Sequence, residues 1–180
     1  MKKIQIIIGS VREGRAGEKV AQWLFALAKK RKDFQAELVD LKEWNLPLLN
    51  DPNLPGSGKY SYDYTKKWSK KISEGDAYIL VTPEYNHGYP ASLKNALDHL
   101  YSEWNGKPVG FVSYGGLAAG TRASEQLKQV VLELKMVPSH DEVNIPFIWQ
   151  AFDKGGKLAD EESFNPRAEK LFDGVVALLK

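Results

Sequence analysis

Residues Ile4–Leu24 read IQIIIGSVREGRAGEKVAQWL: an apolar run that stops at Gly9 and Ser10, a loop carrying Arg12 and Arg15, and an amphipathic stretch that begins after Gly17. A run that is apolar at nearly every position is buried on both faces, as parallel strands are. Val20, Trp23, Leu24, Leu27 and Ala28 then recur at i, i+3, i+4, i+7 and i+8, the stripe of a helix packed on one side. Strand, glycine-bearing loop and helix in that order open an α/β unit.

The rest of the chain repeats the pattern. Further strand-like runs lie at Ala77–Val81 and Pro108–Ser113, with shorter ones near Glu37–Leu41 and Val137–Val143. Helical stripes fall at Leu93, Ala96, Leu97, Leu100 and Tyr101, at Leu127, Val130, Val131 and Leu134, and at Leu171, Phe172, Val175, Val176 and Leu179. Strands alternating with helices predict a parallel sheet of about five strands covered on both faces. A length of 180 residues with 43% hydrophobic content fits one domain over residues 1–180. Asn45–Ser61, rich in Pro, Gly and Asn, reads as a surface excursion within that domain, and Pro146–Glu162 as a second one.

Composition narrows the function. With 25 basic and 23 acidic residues the formal charge is +2, too small for a nucleic-acid or membrane footprint. TKKWSKK at Thr65–Lys71 is better read as a solvated helix face with one buried tryptophan than as a basic-aromatic nucleic-acid patch. The basic run Lys29–Lys32 suits a helix C-terminus. The absence of cysteine removes disulfides, thiol nucleophiles and thiolate metal sites. His87, His99 and His140 have no metal-like spacing, so no metal is expected. No run approaches the roughly 20 apolar residues of a membrane span, and the opening run is shorter than a secretory core. The expectation is a cytoplasmic protein acting on small molecules, with neither nucleic acid nor membrane as partner.

In an open parallel sheet the ligand lies beyond the carboxyl ends of the strands, where the strand order reverses. Three loops occupy those ends. The first, GSVREGRAG, leads into a helix whose first amides are unpaired and whose dipole favours an anion. There Ser10 adds a hydroxyl, and Arg12 and Arg15 add charge-assisted bonds worth about 1.5–3 kcal/mol each. The loop lacks both the nucleoside-triphosphate signature and the dinucleotide fingerprint, so it suits a single phosphomonoester; the competing reading is an ordinary strand-to-helix turn with solvent-facing arginines. The second loop, TPEYNHGYP, offers main-chain donors and aromatic edges to a planar ring, with Gly88 allowing a tight bend and Pro90 suited to the next helix's first turn. His87 there lines a pocket or caps a turn more readily than it catalyses, and Glu84 reads as structural, accepting backbone bonds near the loop. The third loop, SYGGLAAGT, gives a flat ledge, with Thr121 as the N-cap of the next helix. One phosphate loop and two ring loops together define a flavin mononucleotide site.

GSVREGRAGEKVAQWL and VTPEYNHGYPASLKNALDHLYSEWNGKPVGFVSYGG, with the separation between them, resemble the NADPH-dependent FMN reductase family of the flavodoxin-like fold, over about Ile4 to Val143. The resemblance implies a three-layer α/β sandwich, its five-stranded parallel sheet in order 2-1-3-4-5 and FMN at the switch point of the first and third strands. It also implies that Ser10, Arg12, Arg15 and Gly17 surround the phosphate, that Pro83, Glu84, Tyr85, Asn86 and His87 line the ring, and that Ser113, Tyr114, Gly115 and Gly116 hold the ring's other edge. The chain departs from the family at Gly17, where many members carry a hydroxyl residue. Beyond Ile145 the resemblance is only that of a closing helix.

With FMN bound, the hydride chemistry belongs to the flavin, and no side chain is required as a catalytic acid or base. NADPH or NADH would deliver hydride on the exposed ring face, and amides of Ser113–Gly116 would stabilise the charge left at the far edge. A small acceptor, such as a flavin, quinone, azo compound or metal oxyanion, would then take its place. The alternatives are a flavodoxin-type one-electron carrier, which usually needs a single-sign docking surface, and a flavin-free interaction module of the same fold. Tyr85, Tyr89, Tyr101 and Trp104 crowd the ring loop and the following helix, which suggests a homodimer or a dimer of dimers with pockets near the interface.

Overall fold

The computed structural model describes residues 1–179. Strand β1 (Lys2–Ile8) pairs in parallel with β2 (Phe34–Asp40) on one side and β3 (Ala77–Pro83) on the other. With β4 (Pro108–Tyr114) and β5 (Val137–Ile145) the sheet runs β2-β1-β3-β4-β5, all parallel, so the order reverses between β1 and β3. Each residue of β3 and β4 is buried, as their apolar sequences require.

Two apolar layers enclose the sheet. Helix α1 (Gly17–Ala28) and the last helix, α6 (Glu161–Ala177), pack on one face, where Ile4, Ile6, Ile8, Ile79, Val81 and Val112 meet Val20, Trp23, Leu24, Leu171 and Phe172. Each such fully buried side chain contributes about 1.5–3 kcal/mol relative to exposure. The opposite face takes α3 (Asp63–Ser73), α4 (Ala91–Asp98) and α5 (Thr121–Glu133), whose Trp68, Ile72, Leu93, Leu97, Leu127 and Val131 cover Ile7, Tyr78, Leu80 and Phe111. Trp68 is the single buried tryptophan of the TKKWSKK face, and its Nε1 donates to the Ala96 carbonyl at 2.8 Å.

Several local readings are corrected. The second strand is Phe34–Asp40, not Glu37–Leu41, and it passes without a loop into a one-turn helix, α2 (Leu41–Trp44), which the sequence pattern is too short to announce. The Asp40 carboxylate caps that turn, accepting from the Lys42 amide at 2.9 Å. Thr121 is the first residue of α5 rather than its cap; the cap is Gly120, at φ 82°, and the Thr121 hydroxyl donates back to the Ala118 carbonyl. Pro90 stands one position before α4, as its cap. The excursion after α2 is tied down from α4: Asn95 donates to the Pro47 carbonyl and accepts from the Leu49 amide, and His99 Nε2 lies 2.9 Å from the Pro47 oxygen.

The aromatic crowd is mostly internal. Trp104 is fully buried, edge-on to Trp68 and Tyr78, with its Nε1 bonded to the Leu97 carbonyl. Tyr89 and Tyr101 are half-buried against the same cluster, and of the four only Tyr85 is exposed. These side chains supply core, not the surplus surface from which an interface was expected. Among the described residues no helix is long and apolar enough to cross a membrane, and no group of His, Asp or Glu is arranged for a metal ion.

Candidate active site

The loop after β1 is held by side chains and leaves backbone free. Arg15 lies in the wall, its side chain 7% exposed, donating from Nη1 to the Ser10 carbonyl at 2.8 Å and from Nη2 to the Asp40 carboxylate. Asp40, at the end of the neighbouring strand, thus neutralises Arg15, leaving Arg12 as the exposed guanidinium of the loop, touching only the Gly14 carbonyl at 3.3 Å. Ser10 is buried, 2.7 Å from the Tyr85 hydroxyl, and its Oγ accepts from the Arg12 amide at 3.3 Å. Helix α1 starts at Gly17 after Ala16, which caps nothing, and the first-turn amides of Gly17, Glu18 and Lys19 have no carbonyl partner. Unpaired amides, the helix dipole and the exposed Arg12 thus belong to one strand-to-helix connection, the combination that favours an anion.

The loop after β3 uses two of its amides on itself, while those of Asn86 and His87 have no partner. Tyr85 and Gly88 exchange both backbone bonds, at 2.8 and 3.0 Å, around Asn86 and His87, which have φ of 50° and 68°. Two positive φ values at the central positions make a type I′ turn. The bend is therefore carried by Asn86 and His87, not by Gly88. His87 stands exposed at the tip, its carbonyl accepting from Gln126 Nε2, away from the cavity wall. Glu84 does not accept backbone bonds. Its Oε1 accepts from Arg122 Nη1, on α5, at 2.7 Å, and its Oε2 is buried without a partner.

The ledge after β4 is folded tightly on the strand end. Ser113 Oγ donates to the Ala119 carbonyl at 2.8 Å and accepts from Asn144, so this buried side chain secures the loop and does not face a ligand. A Cβ on Gly120 would lie 2.7 Å from the Tyr114 amide nitrogen, which is why a glycine at positive φ is needed there. The Gly115 amide donates to the Ile145 carbonyl, and the amides of Gly116, Leu117 and Ala118 stay open, Gly116 being the one of the three that lines the cavity. The carbonyls of Gly115 and Gly116 accept from the amides of Ile148 and Phe147, docking the segment after β5 onto the ledge.

Together these elements enclose a cavity of about 210 Å³ lined by Arg12, Arg15, Ala16, Pro83, Glu84, Tyr85, Tyr114, Gly115, Gly116, Ile148 and Trp149. Eight of the thirteen residues expected at a ligand line it directly. Of the other five, Ser10 is buried within the loop after β1, Gly17 is buried at the start of α1, Ser113 is internal, and Asn86 and His87 are at the turn tip. Ile148 and Trp149 were missed, as were Asp40 and Arg122; the aromatic run Phe147–Trp149 beyond the last strand was the available signal for the first pair. A larger cleft, about 460 Å³, lies at the amino ends of β1 and β2 among Met1, Lys3, Arg31, Phe34 and Glu37, but it has neither helix amides nor a strand-order reversal to bind with.

The profile of the NADPH-dependent FMN reductase family matches residues 2–150. An NAD(P)H-dependent FMN reductase of Schizosaccharomyces pombe is 46% identical over 148 residues, 80% of this chain and 74% of its own length. A 2-hydroxy-1,4-benzoquinone reductase of a Burkholderia species is 30% identical over 171 residues, 89% of this chain and 87% of its own. Among solved structures, the flavoenzyme NAD(P)H:(acceptor) oxidoreductase FerB of Paracoccus denitrificans superposes with a TM-score of 0.77 at 26% identity, over 99% of this chain and 97% of that one. With its sheet order, its strand-end loops and this match across most of its length, the chain belongs to the NADPH-dependent FMN reductase family.

Proposed function

We propose that this protein is an FMN-dependent oxidoreductase that passes hydride from NADPH or NADH to a small acceptor, a quinone or an azo compound being the first candidates. The observation that carries the reading is the convergence of an open, uncapped helix start and a free Arg12 with two ring-sized ledges on one cavity. The residues fit FMN: the first loop has donors without acceptors, and the second and third add flat surfaces with a few free amides, among them those of Asn86, His87 and Gly116. When bound, FMN supplies the hydride acceptor and donor.

The chain's own part is placement. Arg12 and the α1 amides hold the anion, the Ser10–Tyr85 bond ties the phosphate loop to the ring loop, and the open Gly116 amide is the ledge's donor toward an electron-rich ring edge. The expected row of donors from Ser113 to Gly116 is thus reduced to one. Trp149, 67% exposed, and Ile148 give the cavity an apolar wall. A net charge of +2 offers no single-sign docking surface, which weighs against a one-electron carrier. The same reading takes the working unit to be a cytoplasmic homodimer or dimer of dimers; Leu117, Phe147 and Trp149, all exposed on or beside the ledge, support an apolar contact there.

The test is the visible spectrum of the protein titrated with FMN. A bound yellow flavin that bleaches with NADPH or NADH and recovers with a benzoquinone, giving parallel lines in double-reciprocal plots, is expected. Failure to bind FMN, or reduction only through a protein partner, overturns the assignment.

A further inference from the structure

Tyr114 ends β4 and is buried, 4% exposed, yet its hydroxyl has no hydrogen-bond partner in good geometry, the nearby Gly17 amide being the backbone group that acts on it. Native structures seldom leave such a group orphaned without a use. Its ring crosses from the sheet to the first turn of α1. A Cβ on Gly17 would collide with the Tyr114 hydroxyl oxygen and stand 3.3 Å from Cζ. The position that a side chain at residue 17 would fill is therefore taken by a hydroxyl delivered from another strand. The same helix start has no side-chain cap and unpaired amides, with Arg12 and Arg15 close by. Burial, followed by the neighbouring Tyr85, raises the Tyr114 hydroxyl well above its usual range against the opposing pull of Arg15, Arg12 and the Gly17 amide, so at neutral pH it keeps its proton and remains a donor.

We propose that Tyr114 is a phosphate-binding residue: its hydroxyl substitutes for a helix-start side chain at position 17 and donates to a phosphomonoester bound at the α1 N-terminus, so that Gly17 and Tyr114 act as one unit. The assignment of that anion to FMN rests on the function proposed above. It moves Tyr114 from the ring edge, where it was first expected, to the phosphate end, and it gives Gly17 a steric reason.

Dissociation constants for FMN and riboflavin, read by flavin fluorescence, separate these claims in the parent, Tyr114→Phe, Gly17→Ser and the double variant. Tyr114→Phe should weaken FMN by about tenfold or more, as for a lost bond to a charged group, and leave riboflavin within about twofold. The flavin-free variant should melt no lower than the parent, because it loses only an unsatisfied hydroxyl. Gly17→Ser alone should lose FMN through the collision. Combining it with Tyr114→Phe should recover most of the affinity, the serine hydroxyl entering the vacated space. Unchanged FMN affinity in Tyr114→Phe, or equal losses for FMN and riboflavin, overturns the proposal, even if the double variant does not fold. Inorganic phosphate provides the independent arm. If the parent binds neither flavin but phosphate raises its melting temperature, and does so less in Tyr114→Phe, the FMN reading fails while the anion site stands. If the parent binds FMN and phosphate stabilises both proteins equally, the reading stands and Tyr114 is excluded.

Discussion

The loops after β1 and β3 occupy equivalent places at neighbouring strand ends, yet they divide their hydrogen bonds in opposite ways. Between Gly9 and Gly17 the side chains of Arg12 and Arg15 donate to loop carbonyls, the Ser10 hydroxyl accepts from the Arg12 amide, and the amides opening α1 stay free. Between Glu84 and Gly88 the amides of Tyr85 and Gly88 close a two-residue turn, and that of Glu84 goes to the Tyr114 carbonyl. The unpaired ones belong to Asn86 and His87 at the tip, outside the cavity lining, which takes Glu84 and Tyr85 from this loop. A backbone with free donors at the cavity recognises charge; one whose free donors lie outside the cavity lining recognises shape. One cavity thereby acquires an anion end and an apolar end.

The largest test of this division falls on Arg15. If it is a wall and not a ligand-facing group, Arg15→Ala should cost about 3 kcal/mol of stability in urea unfolding without any flavin, because the Asp40 carboxylate, its side chain only 16% exposed, is left without its partner. Unchanged flavin-free stability with lost FMN binding would instead return Arg15 to the ligand.

Arg12 should behave in the opposite way. Arg12→Ala removes an exposed side chain bonded only to Gly14, so flavin-free stability should stay within about 0.5 kcal/mol. FMN binding should weaken by about 1.5–3 kcal/mol while riboflavin is indifferent. Equal losses for both flavins would erase the distinction between the two ends.

How much of this was legible depended on the range of the interaction. The uninterrupted apolar runs of β1, β3 and β4 carry their burial in their own letters, and the glycine-bearing loops between strand and helix are local patterns. Asp40 could not be assigned to Arg15, nor Arg122 to Glu84, because each pair joins residues 25 or 38 positions apart. Ser113 was expected at the ring's other edge because nothing in the sequence shows Ala119 folding back onto its side chain. Trp149 was overlooked because its place on the ledge is set by two backbone bonds from a segment with no periodicity.

The Ser10–Tyr85 bond, at 2.7 Å, is the one direct link between the two loops. Tyr85→Phe should cost about 1 kcal/mol of affinity for FMN and for riboflavin alike, since it loosens the docking of one end against the other and removes no phosphate contact. A loss confined to FMN would place Tyr85 at the anion end and blur the comparison.

The smallest effect is expected at the turn tip. Asn86 and His87 adopt the left-handed region, at φ 50° and 68°, which both enter more readily than most residues but at a steric cost that glycine does not bear. His87→Gly creates the Asn-Gly pair that type I′ turns favour, and glycine at that position avoids the steric cost of a Cβ. The gain is offset in part by the greater freedom of glycine in the unfolded chain, so a net stabilisation of about 0.5 kcal/mol is expected by urea unfolding. The side chain lost is exposed and outside the cavity, with only the backbone carbonyl engaged by Gln126, and glycine keeps that carbonyl. Turnover with a benzoquinone should therefore remain within about threefold of the parent, far from the 10²–10⁴-fold loss that follows removal of a catalytic acid or base. A loss in that larger range with FMN affinity intact would show that the histidine at the tip reaches the reacting atoms, and the loop after β3 would then contribute chemistry as well as shape.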